Sequence, residues 1–277
     1  MTAPMEILPG IYQDMSNEAY HGGPGLSKSG LDLLAKSPYL FRYRPKIEPT
    51  KALLIGSAFH AATLEPHTFP SLFAVAPEVN ARTNAGKAEL ELFKQANAGK
   101  SILAMEDAEK VAAMAQAARN HPIAAALLAC GVAETSIFHR DEATGELLKC
   151  RPDWMVDDLL VDLKSTEDAS AAGFSRSCWN YRYHVQAAYY LDIANAVMDR
   201  RFTAFVFIAV EKAQPYQVAV YHADYEMIMA GRMEYRRLVD LYHNCRVADR
   251  WPGLNGERIE SIGLPRWAVK NNEFASS

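Results

Sequence analysis

The chain has 277 residues, 49% of them hydrophobic and 22% charged, with a formal net charge of −4. Those are the proportions of an ordinary globular protein with one substantial core, and the charge excludes a protein that coats nucleic acid by electrostatics alone. It does not exclude an enzyme of nucleic acids, because metal-holding carboxylates and an acidic outer surface can outweigh a local basic groove.

Met1 to Gly10 has no basic segment followed by an apolar run, and no stretch approaches the roughly 18 apolar residues of a membrane span, so the expected address is the cytoplasm. Residues 1 to 26 read as a loop-rich arm with a short helix near Ser16 to Tyr20, punctuated by Gly22, Gly23, Pro24 and Gly25. Ser27 is placed to cap a helix running to Ala35, and Ser37-Pro38 repeats the start signal. Lys51 to Leu64 is a helix ended by Glu65-Pro66. Its Leu53, Gly56, His60 and Leu64 share one face, so His60 reads first as a hydrogen-bonded core histidine, while Gly56 leaves room for a close approach. Phe69 to Pro77 reads as a short strand, and Asn84 to Ala98, Glu106 to Asn120 and Ile123 to Ala129 as helices of a supporting insertion.

The β-rich block follows. Ala133 to Arg140, Glu146 to Met155 and Asp158 to Lys164 form a three-strand meander with turns at Glu142 to Gly145 and at Asp157-Asp158. Helices at Ala171 to Asn180 and His184 to Met198 lead to a nearly all-apolar strand, Phe202 to Glu211, buried on both faces of a mixed sheet. A further strand, Tyr216 to His222, and a long helix, Asp224 to Asn244, complete the core. Beyond it lies a helix-poor tail with Trp251-Pro252-Gly253 and Leu264 to Trp267. Cys130, Cys150, Cys178 and Cys245 are scattered without a CxxC pair, which points to reduced, packed thiols rather than an iron–sulfur cluster. Basic residues that could line a groove are Arg42, Arg44, Lys46, Lys51, Arg176, Arg182, Arg232, Arg236 and Arg237, each also explicable as a solvated face.

Pairing arithmetic on the meander concentrates the chemistry. With Asp157-Asp158 at the centre of a tight hairpin, Asp153 falls opposite Asp162, and directly opposed like charges are unfavourable unless a cation lies between them or one is protonated. With Ala143-Thr144 at the centre of the first hairpin, Glu134 joins the same row. Three such carboxylates make an oxygen-rich cluster suited to Mg²⁺ or Mn²⁺, and a one-residue slip or bulge would break it. Lys164 follows Asp162 by two and leaves the strand on the same face, where an ammonium can orient water and stabilise charge on a phosphate. The Leu163 carbonyl between them is a further candidate ligand. The arrangement reads as a metal-dependent phosphodiester-cleaving site.

These residues resemble the PD-(D/E)XK nuclease superfamily, in its RecB-like branch and nearest the RecE exonuclease (exodeoxyribonuclease VIII) nuclease domain. The resemblance is carried in order by LSKSGLDLLAKSPYLFRY, GSAFHAATLEP with His60, Glu134, RPDW with Asp153, VDLKST with Asp162 and Lys164, and QAAYY with Gln186 and Tyr190. It implies an α/β fold whose central mixed sheet is flanked by helices. One nuclease domain would comprise an N-terminal arm and helical region (1–130), a catalytic core (131–222) and a C-terminal helix and tail (223–277). It also implies two Mg²⁺ ions, with Mn²⁺ able to substitute, held by His60, Asp153, Asp162 and the Leu163 carbonyl, and Lys164 as catalytic lysine. Gln186 and Tyr190 would border the site, although Tyr190 is equally a packing residue. The activity implied is 5′ to 3′ digestion of linear double-stranded DNA by a ring-shaped tetramer, beside a RecT-like single-strand annealing partner in phage-type recombination. An endonuclease with the same core, or a non-catalytic metal-holding protein that binds DNA ends, are the alternatives. Cys150, where relatives often carry glycine, and the acidic Asp157-Asp158 turn depart from the family pattern without removing a catalytic group.

Overall fold

The computed structural model describes residues 7–45, 50–80, 82–256 and 258–265. Lys46 and the Arg266-Trp267 pair of the tail lie outside them. In chain order the elements are β1 (Gly10–Tyr12), α1 (Asn17–Gly22), α2 (Lys28–Lys36), α3 (Pro38–Tyr43), α4 (Lys51–Leu64), α5 (Phe69–Leu72), β2 (Phe73–Val75), α6 (Asn84–Ala96), β3 (Ser101–Leu103), α7 (Met105–Asn120), α8 (Pro122–Leu128), β4 (Val132–Ala133), β5 (Ser136–Arg140), β6 (Leu147–Cys150), β7 (Trp154–Val156), β8 (Leu159–Thr166), α9 (Ala171–Asn180), α10 (Tyr183–Val197), β9 (Ala204–Glu211), β10 (Val218–His222) and α11 (Tyr225–Ala248).

Helix starts follow local chemistry. Ser16, Ser27, Ser37, Thr50, Thr83, Ser170 and Asp224 each accept a backbone N–H three residues on, satisfying a donor that the first turn cannot. Pro38 occupies the first turn of α3, where its missing N–H costs nothing.

The central sheet is mixed, in the order β10-β9-β8-β7-β4, with β8 and β9 parallel and the other pairs antiparallel. The parallel pair is joined through α9 and α10, as a crossover requires. β9 is buried on both faces: Phe205, Phe207 and Ala209 pack into one core with α10 and α11, and Val206, Ile208 and Val210 into another with α4, α7 and α8. This alternation explains why its sequence has no polar face.

The meander keeps its expected register but not its expected continuity. β7 pairs with β8 through Trp154–Val161, Met155–Leu160 and Val156–Leu159, so Asp157-Asp158 is the two-residue turn. β5 pairs with β6 through Ile137–Cys150, and β4 with β7 through Ala133–Trp154, on one common register. Between them the ladder breaks at Glu134-Thr135 and Arg151-Pro152-Asp153. The outer half of the hairpin, β5 and β6, joins β1 in a separate three-stranded sheet. Proline removes a donor there, and Glu134 turns left-handed at φ 47°. Arg151 holds the break: its guanidinium donates to Ser136 Oγ, to Asn17 Oδ1 and to the Met15 carbonyl, and it lies 4.3 Å from the centre of the Tyr20 ring. Two of the expected three strands are thus each two short ones.

The insertion differs in detail. The expected strand at Phe69 to Pro77 is half helix, and its remaining strand, β2, pairs parallel with β3, which the sequence reading left out. Phe73 and Leu103 pack against Ala58 of α4 and Val111 of α7, so the insertion buttresses the helix that carries His60. Among the described residues no helix is long and apolar enough to cross a membrane.

Candidate functional site

The face of α4 that reads as apolar is core only at its C-terminal end. Leu64 enters the core with Phe59 and α7, whereas Leu53 is exposed, and Leu53, Gly56 and His60 line an 810 Å³ cleft with Glu65, Glu134 and Arg151. At Gly56 a Cβ would meet nothing within 4 Å, in keeping with room for a close approach. His60 therefore faces open space beside acidic groups. Its Nδ1 is 3.4 Å from Asp153 Oδ2. Ligand atoms of His60, Glu134 and Asp153 all fall within 4.8 Å of one another.

Both acids owe their place to the break in the hairpin. Glu134 and Asp153 are the residues at which the ladder opens, and the Glu134 N–H still donates to the Asp153 carbonyl at 3.1 Å, so the two remain neighbours while their side chains leave the pleat. Asp153 Oδ2 accepts the Leu163 N–H at 2.8 Å, which ties it to β8 opposite Asp162.

Asp162 occupies a different environment. It is fully buried, and Gln186 Nε2 on α10 donates to its Oδ1. Lys164 Nζ lies 2.5 Å from Oδ2, a buried ion pair that the two-residue spacing on β8 predicts. The three carboxylates do not form one even row: Glu134 and Asp153 group with His60, and Asp162 stands behind them, bonded to Lys164 and Gln186.

Electrostatics shows what the cluster lacks. Burial, then the charge of Asp153, pushes the Glu134 carboxyl up to about 8, and the same two causes, in that order, push Asp162 up. Burial opposes the Lys164 ammonium, but Asp162 and Asp153 outweigh it and hold the lysine above its ordinary range. Two carboxylates and an imidazole whose ligand atoms lie within 4.8 Å of one another, backed by a third, buried carboxylate, fit a hard divalent cation. His60, Glu134 and Asp153 would hold it, with Asp162 behind them.

A pH dependence follows. An acid whose pKa is raised on folding binds protons in the folded state, so metal-free stability falls as pH rises from the ordinary glutamate range through about 8. Since a cation must displace those protons, its affinity is expected to drop about tenfold per pH unit below that range for each proton displaced. Calorimetric titration with Mn²⁺ at several pH values reads this directly, and an affinity flat from pH 6 to 9 would contradict it.

A family model described as a PDDEXK-like domain of unknown function (DUF3799) matches residues 33–263. The chain belongs to this PDDEXK-like family. Among solved structures, one from Eubacterium rectale described as a "putative exonuclease" matches with a TM-score of 0.56 over 94% of this chain and all of that one, at 15% identity, a likeness of fold. No curated protein matches. The mixed sheet flanked by helices is thus a PDDEXK-like nuclease fold.

Within this PDDEXK-like domain the structure brings His60, Glu134, Asp153, Asp162, Lys164 and Gln186 together. Leu163 is buried in β8 with its N–H given to Asp153. Tyr190 packs edge-on against Phe205, and burial first, with Asp162 and Asp153 among the smaller causes, pushes its hydroxyl far up. Two neighbours escaped the sequence reading. Tyr183 presents its ring 4.7 Å from Lys164 Nζ, and Lys28 lies 5.9 Å from the same ring. LSKSG and NYRYH contain them, but only the packing of α2 against α10 joins them. The basic groove is thinner than the sequence allows, because Arg182, Arg232, Arg236 and Arg237 are spent on Asp32, Asp192, Asp141 and Glu234.

Gln186 offers a specific check. Gln186→Ala would strip the hydrogen bond from the buried Oδ1 of Asp162, which is expected to lower Mn²⁺ affinity about 10- to 100-fold and cost about 1–3 kcal/mol of stability. Metal titration and urea unfolding measure the two effects.

Proposed function

We propose that the chain is a Mg²⁺- or Mn²⁺-dependent exodeoxyribonuclease that hydrolyses linear double-stranded DNA from the 5′ end. The observation that carries this reading is the union of His60, Glu134 and Asp153 within 4.8 Å with the buried Asp162–Lys164 pair behind them. When bound there, a divalent cation supplies a water of lowered pKa and polarises the phosphoryl oxygen. Asp153 and Asp162 position that ion, with Glu134 and His60 completing the donor set and the Leu163 carbonyl offered as a further ligand. Gln186 orients Asp162. Lys164, kept protonated by its two aspartates, places a fixed positive charge against the charge that builds on the phosphate.

Direction of digestion, the annealing partner, a role in phage recombination and assembly into a ring tetramer rest on the RecE resemblance. The test is digestion of end-labelled linear duplex and of closed circular plasmid, with and without Mg²⁺ or Mn²⁺. Metal-dependent release of nucleotides from the 5′ label, with the circle intact, is the expected result. A cut circle makes the protein an endonuclease, and binding of ends without release makes it a non-catalytic end-binding protein.

A further inference from the structure

The corner between α9 and α10 holds two large aromatic rings on the surface, next in sequence to Tyr183, whose own ring lies against Lys164. Trp179 is 72% exposed and Tyr181 62%. Each is stacked on one side only: Trp179 on His184, with centroids 5.5 Å apart and planes 11° apart, and Tyr181 on Tyr183, at 5.6 Å and 27°. One face of each ring is covered and the other is open.

The backbone that presents them is fixed. Arg182 adopts the left-handed region at φ 57°, unfavourable for a residue with a Cβ. Its guanidinium is pinned by Asp32 at 3.1 Å and Glu234 at 3.2 Å, and Lys28 Nζ donates to the Tyr181 carbonyl at 2.7 Å. The strain persists because side chains from α2 and α11 overdetermine the corner.

Charge identifies the occupant. Arg176, one turn before Trp179 on the same side of α9, is 70% exposed, with a 3.5 Å contact to Asp168. Lys28, paired with Asp32, and Lys164, paired with Asp162, lie 5.9 and 4.7 Å from the ring of Tyr183. Aromatic faces interleaved with cations match bases joined by phosphates, not an apolar protein segment. Through Tyr183, Tyr181 stands within about three base-pair rises, at roughly 3.4 Å each, of Lys164 Nζ. We propose that Trp179 and Tyr181 stack on unpaired bases flanking the phosphate at Lys164, so that the strand being cut is held single-stranded at the site. This rests on the nuclease reading above.

The test uses the full chain and a linear duplex with a short single-stranded end. Trp179→Ala and Tyr181→Ala are each expected to raise KM between about fivefold and a hundredfold, with kcat within about threefold of wild type. Trp179→Phe restores most of the KM, which a misfolded corner would not allow. On a substrate with abasic positions beside the scissile phosphate, wild type itself shows the raised KM and the alanine variants add nothing. Unchanged KM in both alanine variants, or an undiminished difference on the abasic substrate, overturns the proposal.

If wild type releases no nucleotides, the nuclease reading fails, and stacking is read separately. Wild-type protein with Mn²⁺ should then quench 2-aminopurine in the single-stranded end, and the double variant Trp179→Ala, Tyr181→Ala should abolish the quenching. Absence of quenching in wild type, whether or not the oligonucleotide binds, overturns stacking without bearing on cleavage.

Discussion

Asp162→Ala is expected to lower metal-dependent release of nucleotides from linear duplex by about a thousandfold or more, because it removes the carboxylate between the metal cluster and Lys164. A bound cation supplies several kcal/mol of transition-state stabilisation, and each 1.36 kcal/mol is a factor of ten. Asp162→Asn keeps an acceptor for Gln186 but removes the counter-charge of the buried Lys164 ammonium. Leaving one charge of a buried pair uncompensated is destabilising, so its metal-free melting temperature at pH 8 is expected to fall below that of wild type, while activity is lost. Unchanged nucleotide release by Asp162→Ala would refute the catalytic assignment.

Lys164→Ala is expected to reduce kcat by about 10²–10³, the usual loss of one preorganised donor aimed at developing charge, with KM little altered. The ammonium also neutralises a fully buried aspartate at 2.5 Å. Breaking a buried pair by removing one member costs about 3–5 kcal/mol, so the metal-free variant should melt well below wild type. Mn²⁺ should recover more stability in the variant than in wild type, since a cation can take over the neutralisation. Lys164→Arg keeps the charge but not the shape of the ammonium, and is expected to regain stability without full activity. Wild-type kcat in Lys164→Ala would remove the lysine from the mechanism.

Much of the site was legible because its order is local. Asp162 and Lys164 lie two apart on one strand, and two short turns, Asp157-Asp158 and Glu142 to Gly145, set a register that carries Asp153 opposite Asp162 and Glu134 opposite Asp153. That register holds on both sides of the hairpin. What pairing arithmetic does not contain is the break between them. Arg151 and Pro152 interrupt the ladder because Arg151 finds partners in residues 15 to 17, more than a hundred positions away. The opening lets Glu134 and Asp153 turn toward His60, and leaves Asp162 behind with Gln186.

His60 shows the same division. Helical spacing placed it on a face with Leu53 and Leu64, and apolar patterning alone assigned that face to the core. Which side of α4 is buried depends on where α7 and the β2–β3 insertion pack: they cover Ala58, Phe59 and Leu64 and leave Leu53 and His60 on the cleft. Lys28, Tyr183, Trp179 and Tyr181 are ordinary residues in a sequence, and become a group only when α2 and α11 pin the corner at Arg182. The sequence by itself determined the helix caps, the turns and the Asp-x-Lys strand, all consequences of local contacts, and marked β9 as doubly buried through its unbroken apolar run. The tertiary structure decided which part of a helix face is solvent, where the hairpin divides between two sheets, and which acid is buried behind the others. Those choices depend on burial among distant segments, which no local pattern encodes.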